Sequence, residues 1–141
     1  VGLQYPPKMG EVLVCNFVKA EDNSLRGFVI PEMVKRRPVV VLSSTSYKLC
    51  IVAVLSATEP RPLRNWHYEL TWTSPLPSPY DKEITCWVKG DHIYTVSYER
   101  LALFFAGKDA RGKRIYDKRY LLPEQLEEVK KAVNAALNWE V

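Results

Sequence analysis

The sequence predicts a β-rich α+β fold, a small barrel of about five to seven mostly antiparallel strands followed by one C-terminal amphipathic helix. Two observations support this prediction. The stretches PVVVLS (residues 38–43) and LCIVAVLS (residues 49–56) are continuous apolar, β-branched runs, and the join STSYK is short enough for an antiparallel hairpin. Near the end of the chain, Pro123 precedes apolar residues at helical spacing, which predicts a helix that packs on the sheet.

Further segments complete the predicted order of elements. EVLVCNFV (residues 11–18) alternates between two faces, and DHIYTVSYERL (residues 91–101) is rich in Tyr, Thr and Val, so both are predicted strands. The proline-rich stretch 58–83 predicts an excursion over the surface with one edge strand at HYELTW. GKDARGKRIYDKRY (residues 107–120) mixes glycine with many cations and is interpreted as a basic hairpin or loop.

The composition fits one compact domain over residues 1–141, because a chain of 141 residues with 47% hydrophobic content can bury a core without disulfides or a structural metal. The net charge of +4 favours polyanionic partners without requiring one. Cys15, Cys50 and Cys86 lie far apart in apolar segments, which predicts reduced core cysteines. No apolar run approaches the roughly 18 residues of a membrane span and the first residues lack a signal-peptide core, so we expect a cytoplasmic protein.

A candidate site emerges where the two β-branched runs meet. Antiparallel pairing brings the start of the first run beside the end of the second, so Arg37 and Ser56 are predicted neighbours. Pro38 disfavours helix at Arg37 and holds it at the rim of the sheet. Glu32 precedes this rim, and ATEPRPLRNW adds further cations and an aromatic ring after Ser56. A forked cation, a hydroxyl and an aromatic ring suit a phosphodiester with a base stacked nearby.

Motifs for other chemistry are missing from the sequence. It contains no His/Cys cluster at metal-ligand spacing, no glycine-rich phosphate loop and no G-x-S-x-G elbow. We therefore expect neither a metal ion nor a nucleotide cofactor.

Six segments in order resemble the MazF/PemK family of toxin endoribonucleases. They are GEVLVCNF, EMVKRRPVVVLS, CIVAVLSAT, WHYEL, GDHIYTVSYERL and LPEQLEEVKKAVNAAL, and together they span residues 10–137. The resemblance implies an SH3-like barrel that forms a homodimer, cuts single-stranded RNA such as mRNA without a metal, and is restrained by a cognate antitoxin protein.

The same resemblance implies roles for three catalytic residues. Arg37 falls on the family's strand-entry arginine, which contacts the scissile phosphate, and Ser56 falls where the family has Thr or Ser at the end of the next strand. Glu32 falls on the family's loop acid. Two positions depart from the family pattern, Val54 where proline is frequent and Tyr94 where a basic residue is frequent, and these affect substrate preference more than fold.

Other residues are predicted to bind RNA, and several alternatives stay open. Glu32 is a candidate general base, but it could instead pair with a neighbouring cation and order the loop. A histidine beside two aromatic residues could act as an acid or base, or could stack. The whole chain could also be a non-catalytic SH3-like module, either like a gyrase-binding toxin or an RNA-binding regulator. The predicted RNA-binding residues are Lys35, Arg36, Arg61, Arg64, Trp66, His67 and His92.

Overall fold

The computed structural model describes residues 2–17, 35–82 and 84–138. Over these residues the chain forms nine strands, one short 3-10 helix at Tyr98–Arg100 and one α-helix. The strands are β1 (Glu11–Asn16), β2 (Arg36–Ser46), β3 (Leu49–Ser56), β4 (His67–Thr71), β5 (Thr85–Ser97), β6 (Leu101–Ala102), β7 (Phe104–Lys108), β8 (Arg114–Asp117) and β9 (Arg119–Tyr120), and the helix is α1 (Pro123–Leu137).

Seven of the strands form one curled antiparallel sheet. Its order is β4-β5-β3-β2-β1-β6, and β9 pairs with β1 beside β6. The remaining two strands, β7 and β8, form a separate hairpin. The predicted fold class, a strand-rich small barrel with a C-terminal helix, is confirmed, and the basic segment is a hairpin.

Strand β5 begins earlier than the sequence predicted. The prediction started at Asp91, whereas the strand starts at Thr85 and runs through Gly90. The pairing with β3 jumps at this point, because Ala53 pairs with Ile93 while Val54 pairs with Lys89. The residues between Lys89 and Ile93 therefore form a bulge within one continuous strand, although in the sequence they look like a strand boundary.

The central strands are buried on both faces, as continuous apolar runs require. The face toward helix α1 carries one core cluster and the opposite face carries another. The first cluster contains Val12, Val14, Val40, Ala53, Leu55, Leu70, Trp72, Leu76, Cys86, Val88, Phe104, Leu121 and Val129. The second contains Leu13, Cys15, Phe17, Val39, Val41, Cys50, Val52, Val54, Val96 and Leu101.

Helix α1 covers the first face and begins at Pro123, as predicted. The side-chain oxygen of Gln125 accepts a hydrogen bond from the Leu122 backbone N–H at 2.9 Å, which satisfies a donor at the helix start. A β-carbon at Gly90 would lie 2.6 Å from the carbonyl oxygen of Ala132. Glycine at this position therefore allows the helix backbone to approach β5.

The three cysteines are buried and free, which confirms the prediction of reduced core thiols. Burial raises the pKa of the Cys15 and Cys86 thiols to about 12 and that of Cys50 to about 11. The thiols are therefore protonated at neutral pH and poor nucleophiles. Among the described helices none is long and apolar enough to cross a membrane.

Glu11, at the start of β1, is a fully buried carboxylic residue. Its carboxylate accepts hydrogen bonds from the Tyr5 hydroxyl and, at 3.1 Å, from the Lys8 backbone N–H. Burial and the hydrogen bond to Glu11 raise the pKa of Tyr5 above its ordinary value of 10.0. The residues before β1 are thus tied to the sheet through one buried acceptor.

Tyr5→Phe should lower the free energy of unfolding by about 1 to 3 kcal/mol, because it removes one of the donors to a buried carboxylate. The raised pKa of Tyr5 means that its contribution is complete below its ordinary value of 10.0 and is lost as the pH rises further. Urea unfolding measures the loss, and Tyr47→Phe is the matched control because Tyr47 is 85% exposed. Equal stability of both variants would contradict this role for Tyr5.

Candidate active site

Arg37 and Ser56 lie opposite each other at one end of the β2–β3 pair. Val39 pairs with Val54, so the antiparallel register, continued by two residues, sets Arg37 across from Ser56. Both residues line a cleft of about 320 Å³. The structure therefore brings together the two side chains that the sequence predicted to be neighbours.

The same register continues in both directions across the sheet. Cys15 pairs with Arg37 on one side, and Ser56 pairs with Trp87, which pairs with Glu69, on the other. Residues of one register row lie side by side on neighbouring strands. Arg37 and Ser56 are thus held inside a row that spans five strands, which is a rigid support for a site.

The described lining of the cleft contains two cations and no carboxylate. Arg37 and Lys82 are its charged members, and the rest are apolar or neutral polar. Such a lining favours an anionic ligand. The described residues that line it are Arg37, Pro38, Leu55, Ser56, Ala57, Thr58, Leu76, Pro79, Tyr80, Lys82 and Cys86.

The Ser56 hydroxyl is held in a turn at the end of β3. Its oxygen accepts a hydrogen bond from the Thr58 backbone N–H at 3.2 Å and donates to the Thr58 carbonyl at 3.4 Å. The second bond is long for a hydroxyl donor. The hydroxyl can therefore give up this weak bond and donate to a ligand oxygen in the cleft at little cost in free energy.

Tyr80 and Lys82 form the wall that sequence reasoning missed. Tyr80 packs edge-on against Phe104, with ring centroids 5.8 Å apart. Burial raises the pKa of the Tyr80 phenol, although the positive charges of Arg36 and Arg37 oppose the shift. At neutral pH Tyr80 is therefore a neutral hydroxyl donor beside the arginine.

Arg119 fixes the proline-rich segment that carries this wall. Its guanidinium donates to the carbonyls of Ser74 at 2.7 Å and Pro75 at 3.1 Å. It also pairs with Asp117 at 2.7 Å and lies 5.1 Å above the Trp72 ring. One half-buried cation thus anchors the segment from a strand far along the chain.

The other cations near the start of β2 are exposed. Lys35 and Arg36 both face solvent, and Arg36 pairs in register with Asn16. Arg100 donates to the carbonyls of Asn16 at 3.1 Å and Phe17 at 2.8 Å, which fixes the end of β1. The predicted catalytic acid Glu32 lies outside the described residues.

The family model for PemK-like, MazF-like toxins of type II toxin–antitoxin systems matches residues 8–137. The chain belongs to this family. An uncharacterized protein of Haemophilus influenzae is 33% identical over 96% of this chain and 92% of its own length.

Two solved structures share the fold of this MazF-like toxin. One is an endoribonuclease in complex with its cognate antitoxin from Mycobacterial species, with a TM-score of 0.59, 16% identity and coverage of 96% of this chain and 98% of the other. The second is MazF (Form-I) from Deinococcus radiodurans, with a TM-score of 0.55, 17% identity and coverage of 96% and 100%. At these identities the likeness concerns the fold.

The toxin has a second polar group beside the bulge of β5. His67 pairs in register with Lys89, two rows along the strands from the row of Ser56. The Trp66 and His67 rings lie 5.9 Å apart, and His92 lies 3.9 Å from the Asp91 carboxylate. None of the seven predicted RNA-binding residues is among those that line the cleft. Two lie at the start of β2, Lys35 and Arg36, and five lie in or beside β4 and β5, Arg61, Arg64, Trp66, His67 and His92.

His67 is oriented by the turn that precedes β4. The Arg64 backbone N–H donates to its Nδ1 at 3.0 Å, which leaves the proton of the neutral ring on Nε2. Burial lowers its pKa below the ordinary 6.5, while Asp91 opposes the shift and Lys89 adds to it. These contacts favour the stacking interpretation of His67 over the acid–base interpretation.

The toxin should lose stability on acidification partly through these histidines. Burial lowers the pKa of both His67 and His92, so their contribution is complete above the ordinary value of 6.5 and is lost as the pH falls below it. In the double variant His67→Gln/His92→Gln, the free energy of unfolding should fall less as the pH is lowered. Urea unfolding of both proteins from about pH 7.5 down to about pH 5 measures the difference, and parallel curves would contradict the assignment.

Proposed function

We propose that this MazF-like toxin is a metal-independent, sequence-selective endoribonuclease that cuts single-stranded RNA in the cleft between Arg37 and Ser56. The opposition of these two side chains in a cleft lined by cations carries the proposal. The family match and the fold shared with proteins described as endoribonucleases support it. Sequence selectivity would come from the second group, where Trp66 offers a stacking surface.

The proposed reaction uses a nucleophile that RNA itself supplies. The 2′-oxygen loses its proton and attacks the adjacent phosphorus, the bond to the 5′-oxygen breaks, and this leaving oxygen takes up a proton from solvent water. The products are a 2′,3′-cyclic phosphate and a 5′-hydroxyl. The chain must then align the reacting atoms and stabilise the negative charge that develops on the phosphorane. Arg37 suits the second task, since its fork-shaped cation binds two phosphate oxygens at once.

Hydroxyl donors complete the proposed anion site. Ser56 would donate to a non-bridging phosphate oxygen, and the neutral Tyr80 phenol would donate from the opposite wall. Lys82 adds a second positive charge to the same wall. The proposed role of Arg37 is electrostatic, because a guanidinium is a poor proton donor.

The proton of the attacking 2′-hydroxyl needs an acceptor. Glu32 stays the predicted general base by its place in the sequence, and the alternative of an ion pair with Lys35 or Arg36 stays open. We further propose that residues 1–141 form one domain, that the toxin acts as a homodimer on cytoplasmic mRNA, and that a cognate antitoxin protein restrains it.

Arg37→Ala should lower the rate of RNA cleavage by about 10² to 10³, because it removes the main stabilising charge. The assay incubates each protein with mixed-sequence single-stranded RNA in EDTA and maps the cut ends. Lys131→Ala is the matched control, since Lys131 is an exposed cation on α1 that pairs with Glu128. Equal cleavage by R37A and wild type would place the site elsewhere, and intact RNA with wild type would favour the non-catalytic module.

Ser56→Ala should slow cleavage by roughly 10- to 100-fold, the value of one hydrogen bond to a charged group. Ser56→Thr should keep most of the rate, because it keeps the hydroxyl at the same place. Single-turnover cleavage of one RNA oligonucleotide by all three proteins separates this step from product release. Equal rates for the alanine and threonine variants would show that the hydroxyl takes no part.

A further inference from the structure

The β7–β8 hairpin presents an uncovered aromatic face. Phe104 at its base is buried, whereas every residue from Phe105 to Tyr116 except Gly107 is exposed. Phe105 pairs in register with Tyr116, and their rings meet edge to face with centroids 6.2 Å apart. Each of the two side chains remains 46% exposed, so the rings support each other but are open to a ligand.

Cations flank these two rings. The Arg114 guanidinium lies 5.7 Å from the centre of the Phe105 ring, and Lys108 pairs in register with Arg114. Residues 107–120 contain six Lys and Arg and only two Asp. Phe105, Tyr116 and Arg114 are called the hairpin face below.

Both aspartates of the hairpin are engaged within it. The Asp109 carboxylate accepts hydrogen bonds from the backbone N–H groups of Arg111 at 2.8 Å and Lys113 at 2.9 Å, and so fixes the turn. Asp117 pairs with Arg119 at 2.7 Å. The two carboxylates offset two of the six cations, so residues 107–120 keep a formal charge of +4 (six minus two), which suits a polyanion.

The base of the β7–β8 hairpin contacts the wall of the cleft. Phe104, next to Phe105 in the chain, packs against Tyr80 with centroids 5.8 Å apart, and Tyr80 lines the cleft. Successive residues of a strand point to opposite faces, so Phe104 anchors the hairpin beside the cleft wall while Phe105 faces solvent, within reach of RNA that extends beyond the cleft. Sheet surfaces bind single strands in this way: bases stack on exposed rings, and phosphates contact nearby cations.

We propose that the hairpin face is an exosite that binds single-stranded RNA outside the cleavage cleft. Bases stack on Phe105 and Tyr116, while Arg114 contacts the backbone phosphate between them. The proposal rests on the proposed function, because it takes the RNA in the cleft as the strand that continues onto the hairpin. It assigns the hairpin to affinity and leaves bond cleavage to Arg37 and Ser56.

The test measures binding of a fluorescent 2′-O-methyl single-stranded RNA to the full chain by anisotropy. This RNA lacks the nucleophile, so binding is measured whether or not the protein cleaves RNA. Phe105→Ala and Tyr116→Ala should each weaken binding by roughly 5- to 150-fold, as expected for loss of one stacked base. Ile115→Ala is the matched control, since Ile115 is 45% exposed and faces the other side of the same strand.

A second pair of variants separates local contact from diffuse charge. Arg114→Gln and Lys113→Gln each remove one cation from the hairpin, but Lys113 lies in the turn before β8. Arg114→Gln should weaken binding more and should reduce the slope of log affinity against log salt by about 0.7. Equal effects of the two variants would overturn the proposed contact.

Other outcomes also decide the proposal. The proposal is overturned if F105A and Y116A bind RNA as tightly as the wild type, or if the wild type binds no RNA. It is also overturned if the variants keep their RNA affinity but change in self-association or in antitoxin binding. If F105A fails to fold, Phe105→Leu takes its place in the test. It keeps an apolar side chain but removes the ring, so it should also weaken RNA binding. Binding that depends on the hairpin face in a protein that cleaves no RNA would leave the exosite standing and refute the proposed cleavage.

Discussion

The antiparallel pairing of β2 with β3 is the constraint on which the candidate site depends. Val39 and Val54 are buried and fix the register of the two strands, since a shift by one residue would turn their apolar side chains toward the wrong face. Two residues beyond this pair the core ends and the cleft begins. Arg37 and Ser56 are therefore positioned by the packing of valines that take no part in the chemistry.

The two walls of the cleft are held in physically different ways. One wall consists of strand ends whose backbone is locked in the sheet, which suits groups that must meet a phosphate in one geometry. The other wall carries Tyr80 and Lys82 on a segment without regular pairing, held by the contacts of Arg119 with Ser74 and Pro75. Loss of that anchor would affect the shape of the cleft without removing any group from the strands.

The sequence predicted the part of the site that depends on local pattern. Continuous β-branched runs and a short join specify a hairpin, and a hairpin is enough to bring Arg37 beside Ser56. The same reasoning could not find Tyr80, because the segment that carries it is held by Arg119 and its ring packs on Phe104, both far along the chain. It also started β5 late, since the glycine at the bulge looks like a boundary in sequence although it is required for the approach of α1.

The distribution of charge links the two proposed RNA contacts. On helix α1, Lys130 and Lys131 each lie 3.2 Å from a glutamate one turn away, so their fields are largely balanced. The described lining of the cleft contains cations and no acid, and the aspartates of the hairpin are engaged in its own turn and in the pair with Arg119. A modest net charge of +4 can therefore produce a directed positive field. A single strand long enough to occupy both places would have its affinity and its cleavage supplied by separate residues.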